Sequence, residues 1–119
     1  MYLSQYSASR PMTKVHSENS TGLYTNGASP TNVGSVNLTS SGINLHSGDL
    51  MKVTLAYDGT TLTQTITDTV TNAAFTRQYT INIPSLVGGS LGFVGFTSSA
   101  NAATSATTTR ISSWTYTSL

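Results

Sequence analysis

Four carboxylates and two histidines are the only side chains in this 119-residue chain that can trade protons near neutral pH. Hydrolysis of a glycosidic bond needs two carboxyls set about 5 to 10 Å apart across the bond. The carboxyls available are Glu18, Asp49, Asp58 and Asp68. Asp58 precedes Gly59 between two alternating runs, which is a turn role. Asp49 and Asp68 fall at strand ends, where capping is the ordinary role. His46, Ser47 and Asp49 contain the types of a nucleophile–base–acid system, with His46, Asp49 and Asp68 as the candidate catalytic set. Residues so close in sequence rarely reach triad geometry, no Gly-x-Ser-x-Gly elbow is present, and a polar turn explains them equally. His16 and Glu18, two residues apart, could ligate a metal from one face of a strand or belong to a polar terminal segment. With no cysteine, disulfides, thiolate metal sites and thiol nucleophiles are excluded.

The elements that would carry these groups are strands. Leu50–Tyr57 alternates, with Met51, Val53, Leu55 and Tyr57 on one face and Lys52, Thr54 and Ala56 on the other. Asp58-Gly59 predicts a hairpin of type I′. Thr61–Thr67 is rich in β-branched residues and sets Leu62 and Ile66 on one face. Thr71-Asn72-Ala73 turns the chain, and Phe75–Ile83 alternates again until Pro84 removes a ladder donor. The three form a β-meander. Upstream, Tyr2, Leu3 and Tyr6 fit a short strand, as do Leu23-Tyr24 before the turn pair Asn26-Gly27, and Val36–Leu38. Downstream, Leu91–Thr97 is apolar on both faces, which predicts a strand buried on both sides. Ser98–Thr107 reads as an exposed small-residue loop, and Thr108–Thr117 as the last strand. Short strands separated by turns predict an antiparallel all-β sandwich. Phe93, Phe96, Trp114 and Tyr116 could stack on a sugar ring, but alternating aromatics in strands are more often core.

The totals narrow the partners. Charged residues make up 8% of the chain and the net charge is +1, so no field or basic run recommends nucleic acid or an anionic membrane. No run reaches the roughly 18 apolar residues of a membrane span. Met1–Lys14 has no apolar core of a signal peptide, so as written the chain carries no export signal. One domain is the expectation, with residues 1–18 as an atypical N-terminal segment and 19–119 as the sandwich.

Three stretches, SGDLMKVTLAYDGTTLTQTITD, YTINIPSLVGGSLGFVGFTSS and ISSWTY, resemble the C-terminal half of the legume-type (L-type) lectin domain in its bacterial version. NSTGLYTNGASP is similar to the segment that precedes them. The resemblance covers about residues 19–116 and implies a concanavalin A-like sandwich with a carbohydrate ligand, on a secreted or cell-surface protein. It implies hydrogen bonding to sugar hydroxyls from the loop Thr97, Ser98, Ser99 and Asn101, with Asn26 in the turn after Tyr24 as a second candidate. The family's calcium and transition-metal ligands lie mostly in the missing half, and Ser20 stands where its metal histidine would. Glu18 and Asn19 alone fall short of the six to eight oxygens of a calcium site, so no metal is carried over, and the expectation is a cofactor-free, non-catalytic lectin-like or adhesion module. A truncated sandwich leaves an apolar face uncovered, so homo-oligomerisation is expected to complete it.

Overall fold

The computed structural model describes residues 2–7, 19–28, 34–97 and 110–118, with side chains described from residue 19 onward. It is an antiparallel β-sandwich of two three-stranded sheets. In the first, β1 (Tyr2–Ser7) pairs with β2 (Asn19–Tyr24), which pairs with β3 (Ser35–Asn37). In the second, β4 (Met51–Tyr57), β5 (Thr61–Asp68) and β6 (Ala74–Thr80) form the expected meander.

Register fixes the inner face of the meander. Val53 and Phe75 both oppose Ile66, while Leu55 and Arg77 oppose Gln64, and Tyr57 and Tyr79 oppose Leu62. Period-two alternation then buries Leu62, Gln64, Ile66 and Asp68 on the central strand. Leu38, Ile43 and Ile66 are the fully buried apolar centre, with Leu45, Met51, Ala73 and Phe75 packed around them. The opposite face of β5 carries Thr61, Thr63, Thr65 and Thr67. There the Thr65 hydroxyl lies 3.2 Å from that of Thr76 on β6. Hydroxyl pairs of this kind take the place of the charges this composition lacks.

One polar contact joins the sheets, and a second ties β2 to the loop that follows β3. The Gln64 amide on β5 donates to the Thr21 hydroxyl on β2 at 3.0 Å, with both residues buried. Asn19, at the start of β2, accepts from the Leu45 backbone N–H through Oδ1 at 3.0 Å and donates through Nδ2 to the Ile43 carbonyl at 2.6 Å. Its backbone carbonyl also receives the Leu38 N–H at 2.8 Å. One residue thereby holds both ends of the loop that delivers Leu38 and Ile43 to the core.

Several local expectations are corrected. The Asp58-Gly59 hairpin is not a two-residue type I′ turn, because only Gly59 has positive φ (104°). The Asp58 carboxylate accepts from the Thr60 and Thr61 N–H groups at 2.9 and 2.7 Å, and this Asx turn widens the loop. The β6 strand ends at Thr80 rather than Ile83. A short helix, α1 (Ile83–Val87), follows, capped by Asn82 Oδ1 accepting from Ser85 N–H, with Pro84 in its first turn and Gly88 in the left-handed region after it. Pro84 therefore opens a helix instead of merely closing a strand. Residues 91–97 and 110–117 are not strands. Leu91, Phe93, Val94, Phe96, Ile111, Trp114 and Tyr116 are all more than half exposed, so the expected two-sided burial and aromatic core are absent there. A strand apolar on both faces needs cover on both, and the described residues supply neither. Among the described residues, no helix is long and apolar enough to cross a membrane.

Candidate functional site

The candidates of acid–base type come together only in part. Asp49 lies in the approach to β4 and Asp68 ends β5, opposite Met51. They are near enough for the Asp68 charge to act on Asp49. Asp68 also accepts from the Val70 and Thr71 N–H groups at 2.8 and 3.1 Å, which caps the β5–β6 turn. These backbone donors, Thr71 first, hold Asp68 below the usual carboxylate range. Asp49 is pushed up, chiefly by desolvation and then by the neighbouring Asp68 charge. Asp58 is held down by the Thr60 and Thr61 N–H groups. His46 is exposed on a turn in which its N–H is taken by Asn44 Oδ1 at 2.9 Å and the Asp49 N–H by Ser47 Oγ at 3.1 Å. The Asn44, Ser47, Asp58 and Asp68 side chains each bind a turn N–H.

The directions have a consequence for stability. Asp68 and Asp58 contribute stability above their unfolded pKa, and it is lost as the pH falls through their lowered folded values. Asp49 has the opposite sign, because its ionised form is disfavoured in the fold. Its penalty grows as the pH rises from the ordinary Asp value of about 3.9 toward the raised folded value, and vanishes below that ordinary value. Asp49→Asn should therefore be more stable than the parent at pH 7, with the gain shrinking as the pH falls toward that value. Thermal melts across this range test it; a gain that does not change with pH would contradict the assignment.

The carbohydrate candidates divide by position. Asn26 is exposed, and it and Gly27 carry φ of 56° and 71°, the backbone a type I′ turn requires. The Ala28 N–H closes that turn on the Thr25 carbonyl at 3.1 Å. Thr97 is exposed at the end of the 91–97 segment. Ser98, Ser99 and Asn101 lie outside the described residues, as do His16 and Glu18. Of the two oxygen donors weighed for a metal, Asn19 has both side-chain amide atoms committed to backbone, and the adjacent Ser20 is buried. Among the described residues, no group of three or more His, Cys, Asp or Glu could hold a metal ion.

One polar cluster had no sequence signal. The Tyr57 hydroxyl donates to the Gly59 or Ile81 carbonyl, at 2.8 and 3.0 Å, and accepts from Ile83 N–H at 3.1 Å. It clamps the β4–β5 turn to the start of α1, beside a small cleft lined by Gly59, Thr60, Thr80, Ile81 and Asn82. Its partners lie up to 26 residues away in sequence, so alternation could place Tyr57 on the inner face without revealing the clamp.

The two antiparallel sheets and neutral polar loops define an all-β sandwich domain. The legume lectin domain family matches residues 12–119, and the chain belongs to that family. Neither the curated proteins nor the solved structures yield a match.

Proposed function

We propose that this domain is a non-catalytic carbohydrate-binding module that works without a bound metal. Thr97, Ser98, Ser99 and Asn101, with Asn26, would exchange hydrogen bonds with sugar hydroxyls. The observation that carries the reading is the legume lectin match across residues 12–119. The chemistry of the surface supports it, because sugar hydroxyls are neutral and both donate and accept, as do the Thr, Ser and Asn side chains of these loops.

Two further observations favour binding over hydrolysis and over metal dependence. The Asp68 carboxylate accepts from the Val70 and Thr71 N–H groups at 2.8 and 3.1 Å, which gives it a turn-capping role that accounts for it without catalysis. The amide of Asn19 is engaged by the 43–45 loop through both its oxygen and its nitrogen, a structural role that needs no calcium.

A glycan-array screen, run with calcium and again with chelator, tests the proposal. Binding should survive chelation. Thr97→Ala combined with Asn101→Ala should weaken it at least tenfold, the loss expected of one or two net hydrogen bonds. Asp49→Asn should leave it unchanged. Binding lost on chelation would overturn metal independence. Turnover of a glycoside that disappears in Asp49→Asn would replace the binding module with a hydrolase.

A further inference from the structure

Eight asparagines are spread through the chain, and only Asn26 is followed by glycine. An asparagine loses its amide when the backbone nitrogen of the next residue attacks its side-chain carbonyl carbon. That ring closure is intramolecular, so it needs only that the two groups be free to meet. A side chain on the next residue obstructs it, and glycine has none. The structure leaves the reacting groups open at this one place. Asn26 and Gly27 are exposed on the turn after β2. The backbone bond that closes the turn runs from the Ala28 N–H to the Thr25 carbonyl and uses neither of them. Neither residue makes a hydrogen bond to a described residue, and nothing lies within 4 Å of where a Gly27 Cβ would stand. Other asparagines are committed. Asn19 holds the 43–45 loop through both amide atoms. The Oδ1 atoms of Asn37, Asn44 and Asn82 accept from the N–H groups of Thr39, His46 and Ser85. Asn72 shares the positive φ of Asn26 but precedes Ala73, whose methyl group flanks the attacking nitrogen.

We propose that Asn26-Gly27 is a site of spontaneous deamidation, placed where the change alters ligand binding. The Gly27 nitrogen attacks Asn26 Cγ, and the new C–N bond closes a succinimide ring as the Cγ–Nδ2 bond breaks. The Gly27 amide proton leaves with Nδ2 as ammonia. Water then opens the ring. Attack at the side-chain carbonyl leaves aspartate, and attack at the backbone carbonyl leaves isoaspartate, with the chain routed through the former side chain. Water is the only co-reactant, and nothing is oxidised or reduced. Asp58-Gly59 is the internal contrast. The Asp58 carboxylate accepts from the Thr60 and Thr61 N–H groups at 2.9 and 2.7 Å, which keep it ionised and below the usual carboxylate range. An ionised carboxylate has no leaving group for the same attack, so this turn should persist. The effect on binding rests on the carbohydrate reading above, in which Asn26 meets sugar hydroxyls. Its amide both donates and accepts, whereas a carboxylate only accepts. Residues 24–28 are otherwise neutral, so the product also brings a charge to a face suited to a neutral ligand. Affinity should fall as the molecule ages.

Peptide mapping by mass spectrometry, on folded chain aged in mildly alkaline buffer, tests the site. Aspartate and isoaspartate should arise at Asn26 before any other asparagine changes, while Asp58-Gly59 stays intact. Gly27→Ala should slow the loss at least tenfold, equivalent to about 1.4 kcal/mol of added barrier. Gly27 has a φ of 71°, so a methyl group there also strains the turn. Asn26→Gln leaves the backbone alone, must close a larger ring, and should be equally slow. Glycan binding should decline in step with the modified fraction, and Asn26→Asp should reproduce that decline in fresh protein. The site is overturned if the folded chain keeps the Asn26 amide while denatured chain loses it, or if loss is spread evenly over the asparagines. Full binding by Asn26→Asp would overturn the link to the ligand. Modification of Asn26 in a chain that binds no glycan would count against the carbohydrate reading and uphold the site.

Discussion

Ile66→Ala should destabilise the domain by roughly 2–4 kcal/mol and lower its melting temperature by on the order of 10 °C. Ile66 is fully buried on the central strand of the meander and forms the apolar centre with Leu38 and Ile43. Both of its cross-strand neighbours are apolar, Val53 on β4 and Phe75 on β6. Truncation removes three carbons from a site where the surrounding groups are fixed by β pairing on two sides and by Leu38 and Ile43 of the β3–β4 connection. The cavity can collapse only partly, and the cost exceeds the transfer term alone. The control is Val53→Ala, on the same face and directly opposite Ile66. Val53 is 45% exposed, so its truncation should cost less than about 1 kcal/mol. Chemical denaturation of both variants at low chain concentration measures the contrast. Equal losses would mean that β4 is covered as deeply as β5 and that the described packing of the sheets is wrong.

That contrast also marks what the sequence could reveal. The meander was legible because alternation and turn chemistry are local, and Met51, Val53, Leu55 and Tyr57 do share a face with Leu62 and Ile66. Alternation says which side chains point together, though not how much of that face another layer covers. Leu55 is 52% exposed while Leu62, across the next register, is buried. The same gap explains Leu91–Thr97, whose two-sided apolar pattern states a need for partners that the described fold does not meet. The helix after β6 was missed for a different reason. Asn82 at the cap and Pro84 in the first turn are a readable helix start, and the strand alternation running into Ile83 masked it. Of the site, the turn roles of Asp58 and Asp68 were legible from their positions before and after strands. The approach of Asp49 to Asp68 was not, since the two come near only after the chain has run through β4 and β5. The Gln64–Thr21 contact spans 43 residues, and no local pattern reaches that far.

Asn19→Ala is expected to cost roughly 2–4 kcal/mol, about the sum of two orphaned backbone groups at 1–3 kcal/mol each less some recovery by water. In the sequence Asn19 opens an Asn-Ser-Thr triplet and stands beside Glu18 as an oxygen donor. The structure gives it a different task. Its Oδ1 accepts from Leu45 N–H and its Nδ2 donates to the Ile43 carbonyl, so the carboxamide substitutes for a strand partner along a loop that has none. The loop begins at Leu38, whose N–H is bound by the Asn19 carbonyl, and passes through the 3₁₀ turn Thr39–Ser41 and the left-handed Gly42. Leu38 and Ile43, two of the three members of the apolar centre, are thus set by contacts to one residue. Losing the carboxamide leaves the Leu38 end anchored and frees the Ile43 end. The loss should therefore appear as faster amide exchange at Leu45, along with the lower midpoint. Asn19→Asp separates the two bonds: a carboxylate can still accept from Leu45 N–H but cannot donate to the Ile43 carbonyl at neutral pH. It should fall at or below the alanine variant at pH 7, because a charge is then aimed at a carbonyl, and recover part of the loss as the pH drops and the carboxyl regains a proton. A pH-independent Asn19→Asp variant, or an alanine variant as stable as the parent, would show that the 43–45 loop is held by packing alone.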